Sequence, residues 1–447
     1  EVETDPDSAL ANISFVIDEN RRSAIREITI SGNRLIDESL VRRMLTFDTG
    51  DVLNHEQLGI SRRNLYDTGI YSLADFEIED LPEDDPGANT KPVRINVQLR
   101  ELSTYRVDYG GYYDTDRGPG GIADVVRRSP FGHGAALGFR ARYDNDLRLA
   151  RLYYAQPLIR RLRLKTDGSI ILARETRPGF RAHRVGMSLF QQKELPKEFV
   201  LDYGYRYDNV RWEGVPEDPT LFVANVPVAR LSGTLWRDTR DSILDATRGE
   251  FMSNTFEFGP EWIGSEIGFY KYFGQYFRYF GLDRLLGRRP EDEKGRTTPP
   301  RFIFATAIRL GITQALENQG IISPERFFAG GGTTMRGFGQ DLLGPVEEQL
   351  IDGEARLVPL GGEALFLLNN EIRFPIYRIF GGAVFLDIGN VFETVSDFSL
   401  SDLRKSAGAG LRIKIRYLLL RFDYGFKLDR RPGERGSAFF FSIGQAF

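Results

Sequence analysis

From about residue 103 to its end the chain keeps a two-residue period, with one face apolar and the other bearing charges of both signs. Tyr105, Val107, Tyr109 and Tyr113 alternate with Arg106, Asp108 and Asp114. Leu137, Phe139 and Tyr143 alternate with Arg140, Arg142 and Asp144, and Leu201, Tyr203, Tyr205 and Tyr207 with Asp202, Arg206 and Asp208. Further on, Phe422, Tyr424, Phe426 and Leu428 alternate with Arg421, Asp423 and Lys427. Such a period is that of a β-strand. A soluble sandwich would turn its polar face to bulk water and its apolar face to a packed core. Here mixed charge recurs strand after strand with few helical breaks, which suits a wet lumen inside and lipid outside. Bilayer hydrocarbon admits only helices and closed barrels, and no apolar run of about 18 residues is present to make a helix. The pattern predicts a β-rich fold: a transmembrane antiparallel β-barrel over residues 103–447. About 345 residues at about 20–22 per strand and turn give about 16 strands.

The last strand repeats the pattern. Phe439, Phe441, Ile443 and Phe447 fall on one face, and Ser442, Gly444 and Ala446 on the other. An alternating strand that stops on an aromatic residue fits the closing strand of a bacterial outer-membrane barrel; taken alone, it also fits a core strand at a soluble C-terminus. The 33 Phe and 19 Tyr supply aromatic girdles at two interfaces, and the 47 Gly supply bends and tight turns. With no Cys there is neither a disulfide framework nor a thiolate metal site. A net charge of −4 gives no case for nucleic acid as a partner. No cofactor motif is present, and no leader pattern opens the chain, so a mature or trimmed form is expected.

Residues 21–102 have a different rhythm. Ile25, Ile28 and Ile30 predict a short strand that ends at Gly32-Asn33. Asp37-Glu38-Ser39 opens a helix with Leu40, Val41, Met44 and Leu45 at helical spacing. A second helix over about 54–67 turns Leu58, Leu65 and Tyr66 inward and closes at Gly69, and strands follow near 70–80 and 92–100. The order β-α-α-β-β describes a small soluble domain. Ile13, Phe15 and Ile17 read as one more strand, so residues 1–20 are expected to be the remnant or last strand of a preceding copy of this domain.

Two long stretches interrupt the alternation. Leu285–Arg301 is charged and contains proline, as a surface loop does. Asn318–Val358 is the longer, and a loop of that size inside a barrel is functional or disordered. It holds F-F-A-G-G-G-T-T-M-R-G-F-G at 327–339, where three glycines allow a sharp reversal and Arg336 sits uncrowded. A glycine-rich exposed hairpin is the plain alternative. A phosphate-binding loop is disfavoured, because no Lys-Ser/Thr follows and no helix opens behind it.

Met335-Arg336-Gly337-Phe338 resembles the (V/I/M)-R-G-(F/Y) signature of the BamA/TamA superfamily of outer-membrane insertases and transporters. Its surroundings are similar as well: F-F-A-G-G before it, L-L-G-P at 342–345, G-G-E-A-L-F-L-L-N-N-E-I-R-F-P at 361–375, V-F-L-D-I-G-N-V-F at 384–392 and the terminal F-F-F-S-I-G-Q-A-F. W-R-D-T-R-D-S-I-L-D-A-T-R-G at 236–249 resembles a mid-barrel turn of the family, with Ala246 where proline is common. The β-α-α-β-β unit resembles its periplasmic POTRA domains.

The resemblance implies that the loop at about 318–358 folds into the lumen. Arg336 would pair there with acidic residues of the wall, and the matching positions are Glu371 and Asp387. It also implies a lateral gate between the first and last strands, carried by Tyr105, Val107 and Tyr109 on one side and Phe441, Ile443, Gly444 and Phe447 on the other. Gly444 would weaken and kink the last strand, and a crosslink from 107–111 to 441–445 would block the gate. The implied role is an outer-membrane assembly factor that folds and inserts client β-barrels, with its POTRA domain in the periplasm. Implied partners are unfolded outer-membrane clients, the lipid bilayer, and accessory lipoproteins or an inner-membrane protein. Rival readings are a two-partner-type pore exporting a polypeptide, a passive porin and an outer-membrane enzyme. The enzyme is disfavoured by three scattered His (His55, His133, His183) and the lack of a G-x-S-x-G motif. Asp238, Arg240 and Asp241 read as a salt-bridge cluster rather than a metal site.

Overall fold

The computed structural model describes residues 2–5, 10–13, 21–82, 89–156, 164–214, 224–283, 300–317, 320–351, 354–415 and 418–443. The chain divides into two compact units, residues 1–104 with 128–135, and residues 105–127 with 136–447.

In the first unit, β1 (Val2–Asp5) and β2 (Leu10–Ile13) form an antiparallel hairpin. The expected strand residues Phe15 and Ile17 lie outside the described residues. A three-stranded sheet follows, built from β3 (Arg22–Ser31), β4 (Tyr71–Asp80) and β5 (Thr90–Glu101), with β5 in the centre, parallel to β3 and antiparallel to β4. Helices α1 (Glu38–Met44) and α2 (His55–Asp67) lie between β3 and β4 in sequence. Asn54 caps α2 by accepting the Glu56 N–H at 2.8 Å. Val41, Met44, Leu58 and Leu65 bury the helix faces with Ile25, Ile28, Val93, Ile95 and Val97 of the sheet. Two details depart from the sequence reading. Ile25 and Ile28 share the buried face although three residues apart, because a bulge between Ile25 and Glu27 resets the register. Tyr66 is not an inward residue: its ring is 40% exposed and its hydroxyl accepts the Ala74 N–H, so it covers the edge of β4 instead of entering the core.

The second unit is a closed antiparallel barrel of 16 strands. The first eleven are β6 (Tyr105–Asp114), β7 (Gly118–Arg128), β8 (Ala136–Tyr143), β9 (Leu147–Gln156), β10 (Leu164–Arg177), β11 (Phe180–Glu194), β12 (Val200–Glu213), β13 (Ala224–Asp238), β14 (Gly249–Gly259), β15 (Phe269–Gly281) and β16 (Ile303–Ala315). A small hairpin, β17 (Val346–Ile351) and β18 (Glu354–Pro359), lies outside the barrel order. The wall resumes with β19 (Ala364–Tyr377), β20 (Phe380–Phe392), β21 (Arg404–Ile415), β22 (Leu418–Lys427) and β23 (Ser437–Ile443), and β23 meets β6. The segment between β16 and β19 runs from 316 to 363, a few residues beyond the expected 318–358 at each end, and its returning arm forms the β17–β18 hairpin.

Alternation sorts the side chains by face. Val107, Tyr109, Phe139, Leu152, Ile170, Leu172, Val185, Met187 and Leu189 stand exposed on the outside, whereas charged residues of the same sheet, such as Arg230, Glu371, Asp387, Arg412, Arg421 and Asp423, are buried inside. Apolar residues exposed in this number belong in hydrocarbon. No helix among the described residues is long and apolar enough to cross a membrane. The Asp238–Arg240–Asp241 cluster holds the turn between β13 and β14. Arg240 pairs with Asp238 at 2.8 Å, and Asp241 accepts the N–H groups of Thr247 and Arg248.

Candidate functional site: a pinned lumenal loop and a thin seam

The Met335–Phe338 segment is buried against the inner wall near the end of the chain. The Arg336 guanidinium donates to Asp387 of β20 from Nε and Nη2, both at 2.8 Å, and its own backbone N–H donates to the same carboxylate at 3.1 Å. Nη1 donates to Glu371 of β19 and lies 3.9 Å from Asp423 of β22. The guanidinium plane rests 3.5 Å from the centre of the Phe385 ring. The structure therefore brings Arg336, Glu371 and Asp387 together, all 1% exposed or less.

Residues that the sequence reading did not assign to the site complete the cluster. Arg373 donates to Glu371 at 2.8 Å, Arg412 bridges Glu371 (3.1 Å) and Asp423 (2.6 Å), and Arg421 pairs with Asp423 at 3.1 Å. Four arginines and three carboxylates from the loop and strands β19–β22 thus alternate in a buried space. Each charge is compensated by a neighbour, as burial of ions requires.

Backbone packing fixes the same segment. Gly337 has φ +93°, a region open to glycine. A Cβ on Gly425 of β22 would stand 2.6 Å from the Gly337 nitrogen, so loop and wall touch backbone to backbone. Met335 and Phe338 fill an apolar pocket with Phe327, Leu343, Leu365, Leu367 and Val391.

A second pin holds the loop to the other side of the barrel. Glu325 accepts from Arg184 of β11 at 2.9 Å and from Arg230 of β13 at 2.9 and 3.0 Å, while Lys271 of β15 donates to its carbonyl oxygen at 2.9 Å. Arg177 of β10 also donates to both oxygens of Asp341 (3.0 and 2.9 Å).

The seam between β23 and β6 contrasts with this. Other neighbouring strands pair over long ladders, as β10 and β11 do from Leu164–Lys193 to Arg177–Phe180. Among the described residues β23 and β6 meet in the single pair Ser442–Asp114. Just beyond it the Thr115 N–H donates to the Phe441 carbonyl at 3.0 Å, and the rings of Tyr113 and Phe441 meet at 5.7 Å, tilted by 40°. Tyr105, Val107 and Tyr109 are 60%, 59% and 86% exposed, and face no residue of β23 among those described. Gly444 and Phe447 lie outside the described residues. The observed register sets Phe441 to Ile443 against residues near 113–115, and Asp114 with Ser442 is the pair that meets; the expected crosslink from 107–111 to 441–445 falls partly outside the described residues.

The loop bridges this seam. The Gly332 N–H donates to Asp116, in the turn after β6, at 2.9 Å, and the Gly332 carbonyl accepts from Arg421 of β22 at 2.8 Å. Gly332 therefore ties together the strands on either side of β23. Among the described residues no group of His, Asp and Glu has the arrangement of a metal site.

A closed lipid-facing barrel with a loop pinned across its lumen, led by a β-α-α-β-β unit, is the architecture of an outer-membrane protein. A model of the Omp85 superfamily domain matches residues 130–447, and a POTRA model, described as a surface antigen variable number repeat, matches residues 23–101. The chain belongs to the Omp85 superfamily. It is 24% identical over 447 residues to the outer membrane protein assembly factor BamA of Nitratidesulfovibrio vulgaris, covering 98% of this chain and 53% of that protein. With BamA of Neisseria meningitidis serogroup B it shares 22% over 500 residues, 99% of this chain and 59% of that protein. The chain thus spans little more than half the length of the curated relatives it matches. Its fold resembles the crystal structure of BamA from Haemophilus ducreyi lacking POTRA domains 1–3, with a TM-score of 0.80 at 18% identity over 99% of this chain and 88% of that one. CdiB from Acinetobacter baumannii is more distant, with a TM-score of 0.55 at 13% identity over 94% of this chain and 74% of that one.

Proposed function

We propose that this chain is the membrane-embedded part of an outer-membrane protein assembly factor that folds and inserts client β-barrels through the seam between β6 and β23, with its POTRA domain in the periplasm. The observation that carries the reading is the seam itself: among the described residues one strand pair closes it, beside a long exposed strand β6. An under-paired edge offers its N–H and C=O groups to another strand, and a client strand arriving there exchanges a poorly satisfied edge for a full ladder. Folding into lipid supplies the driving force, so the reading calls for no nucleotide and no catalytic residue. Arg336 serves as a positioning residue that seats the loop over the seam, while the POTRA sheet receives unfolded clients at its edge. Accessory lipoproteins or an inner-membrane partner would supply those clients. The chain's likeness to BamA proteins supports this reading. A lumen crossed by a loop pinned at Arg336 and Glu325 disfavours a passive pore.

The test is insertion of an unfolded model outer-membrane barrel into liposomes with and without the purified chain in the same lipid. Faster insertion, lost on crosslinking Asp114→Cys to Ser442→Cys, supports the reading. No acceleration, with large stable conductance instead, moves the assignment to a polypeptide-exporting pore.

A further inference from the structure

On the outer face of the barrel one row of side chains runs across four neighbouring strands: Arg148 (β9) opposite Arg174 (β10), Arg174 opposite His183 (β11), and His183 opposite Arg211 (β12). Tyr143 of β8 precedes the row, its ring 5.0 Å under the Arg148 guanidinium. Arg148 and Arg211 are exposed, and Arg174 and His183 half-buried. Directly opposed residues of an antiparallel pair share one face, and like charges so placed destabilise a sheet. The carboxylate nearby is Glu213, 4.0 Å from Arg211 and opposite Arg181 one step beyond the row. Among the described residues Arg148 and Arg174 have no carboxylate partner. A row of three arginines and a histidine facing the bilayer is therefore short of anions.

The row also borders a trough. Toward the middle of the wall the next outward residues are Ala141, Ala150, Leu172 and Val185. With Gly121 and Ala123 they line a shallow outer groove of about 840 Å³, whose rim includes Tyr143, Arg148, Arg174 and His183. Small side chains sink its floor between larger neighbours such as Phe139, Leu152 and Ile170, which stand proud. The groove is apolar below and cationic above.

The row lies at the end of the barrel opposite Tyr105, where the chain enters it, because Tyr143, Arg148, Arg174 and His183 flank the turns between β8 and β9 and between β10 and β11. In the outer-membrane orientation proposed above, on which this inference rests, that end faces the outer leaflet. We propose that β8–β12 carry a binding site for a phosphate-bearing lipid, with its acyl chain in the Ala123–Ala141–Ala150 trough and its headgroup phosphates on Arg148, Arg174, His183 and Arg211. Arginine forks match phosphate oxygens. Strands about 4.8 Å apart make the row about 14 Å long, a span that suits a headgroup with two phosphates better than one. The bound lipid would neutralise the row and hold this wall, a few strands from the seam, in register with the leaflet.

The experiment is native mass spectrometry of the full chain after repeated detergent exchange, with cardiolipin as the two-phosphate probe, phosphatidylcholine as the zwitterionic one and inorganic phosphate as competitor. The wild type is expected to keep cardiolipin and shed phosphatidylcholine. R148Q/R174Q and the groove-filling A141W should each weaken retention by roughly tenfold or more. Thermal unfolding in detergent gives an independent reading: cardiolipin raises the midpoint of the wild type but not of R174Q, which alone unfolds no earlier than the wild type because a repulsion has gone. Equal retention of both lipids by the wild type, or unchanged retention in R148Q/R174Q, overturns the proposal. Unchanged retention in A141W with full displacement by inorganic phosphate makes the row a free-anion site and overturns it too. Neither measurement reads insertion, so this proposal and the assembly reading fail separately.

Discussion

The wall β19–β22 and the seam β23–β6 are neighbours in one barrel and are held by different forces. The wall has complete ladders, and on its inner face three carboxylates and four arginines lock the loop through Arg336. Among the described residues the seam has the Ser442–Asp114 pair, one backbone bond from Thr115 and a ring contact between Tyr113 and Phe441. Closure of a barrel is normally the work of its strand ladder. Here the loop shares that work, since Gly332 links the turn after β6 to β22 across β23. On the proposed reading, such a strap lets the junction part without unfolding the strands beside it.

The largest expected effect comes from making the seam as strong as the wall. A disulfide between Asp114→Cys and Ser442→Cys should nearly abolish client insertion and restore it on reduction; full insertion by the oxidised protein would remove the seam from the mechanism. Weakening the wall comes next. Arg336→Ala leaves Glu371 and Asp387 buried without their shared cation, at a cost of about 3–5 kcal/mol. The barrel should still form, with its heat-modifiable migration retained, while insertion falls. Arg336→Lys should recover little, because an ammonium lacks the fork that spans both carboxylates. Normal insertion by Arg336→Ala with an ordered loop would show that the pin is dispensable. Glu325→Ala makes the converse change on the far wall, stranding Arg184 and Arg230. It should loosen the loop by limited proteolysis yet spare the strands next to the seam, and equal protease resistance would argue against the second pin.

Gly425→Ala is a smaller perturbation. Its Cβ must displace the Gly337 backbone, costing about 1–3 kcal/mol as overpacking, and thermal unfolding measures it; an unshifted midpoint would mean that loop and wall are not in contact. The smallest effect is one of pH, in the loop between β22 and β23. Burial favours the neutral form of Glu434, but the Arg404 guanidinium, the Arg431 N–H and Lys427 outweigh it and hold the carboxyl down to about 2. Its contribution to stability is therefore complete above the ordinary carboxyl range near 4.3 and is lost as pH falls toward 2. Protease sensitivity of residues 429–436 should rise over that window in the wild type and be independent of pH in Glu434→Gln.

Much of this was legible because a barrel wall writes its two faces into alternate residues. Charges at Arg421 and Asp423 and aromatic rings at Phe422 and Tyr424 suffice to place a strand between lumen and lipid. Arg336 with Glu371 and Asp387 came from the resemblance of motifs; spacing alone does not join residues 35 and 51 positions apart. Arg373, Arg412, Arg421 and Asp423 lay on the inward parity of β19, β21 and β22 and were within reach of the same logic. Glu325 was harder, being a lone acid in a loop. Its signal was the excess of cations at Arg184, Arg230 and Lys271 on alternate strands. The seam register could not be read locally, because the stagger between first and last strands is set by the shear of the whole barrel. Tyr66 and the Ile25–Ile28 pair failed for smaller reasons, an edge contact and a bulge.

The two pins on the lumenal loop have opposite signs and sit on different arcs of the wall, Glu325 at β11, β13 and β15, Arg336 at β19 to β22. The peptide between them is a chord drawn across a circle. A ring braced by one chord is stiff along it and soft elsewhere, so thermal ovalisation of the cross-section is channelled away from the braced arcs. The arc from β23 through β6 to β9 has only lighter ties to the loop, such as Gly332 to Asp116 and Gln340 to Asp146, and includes the joint where the circle was closed.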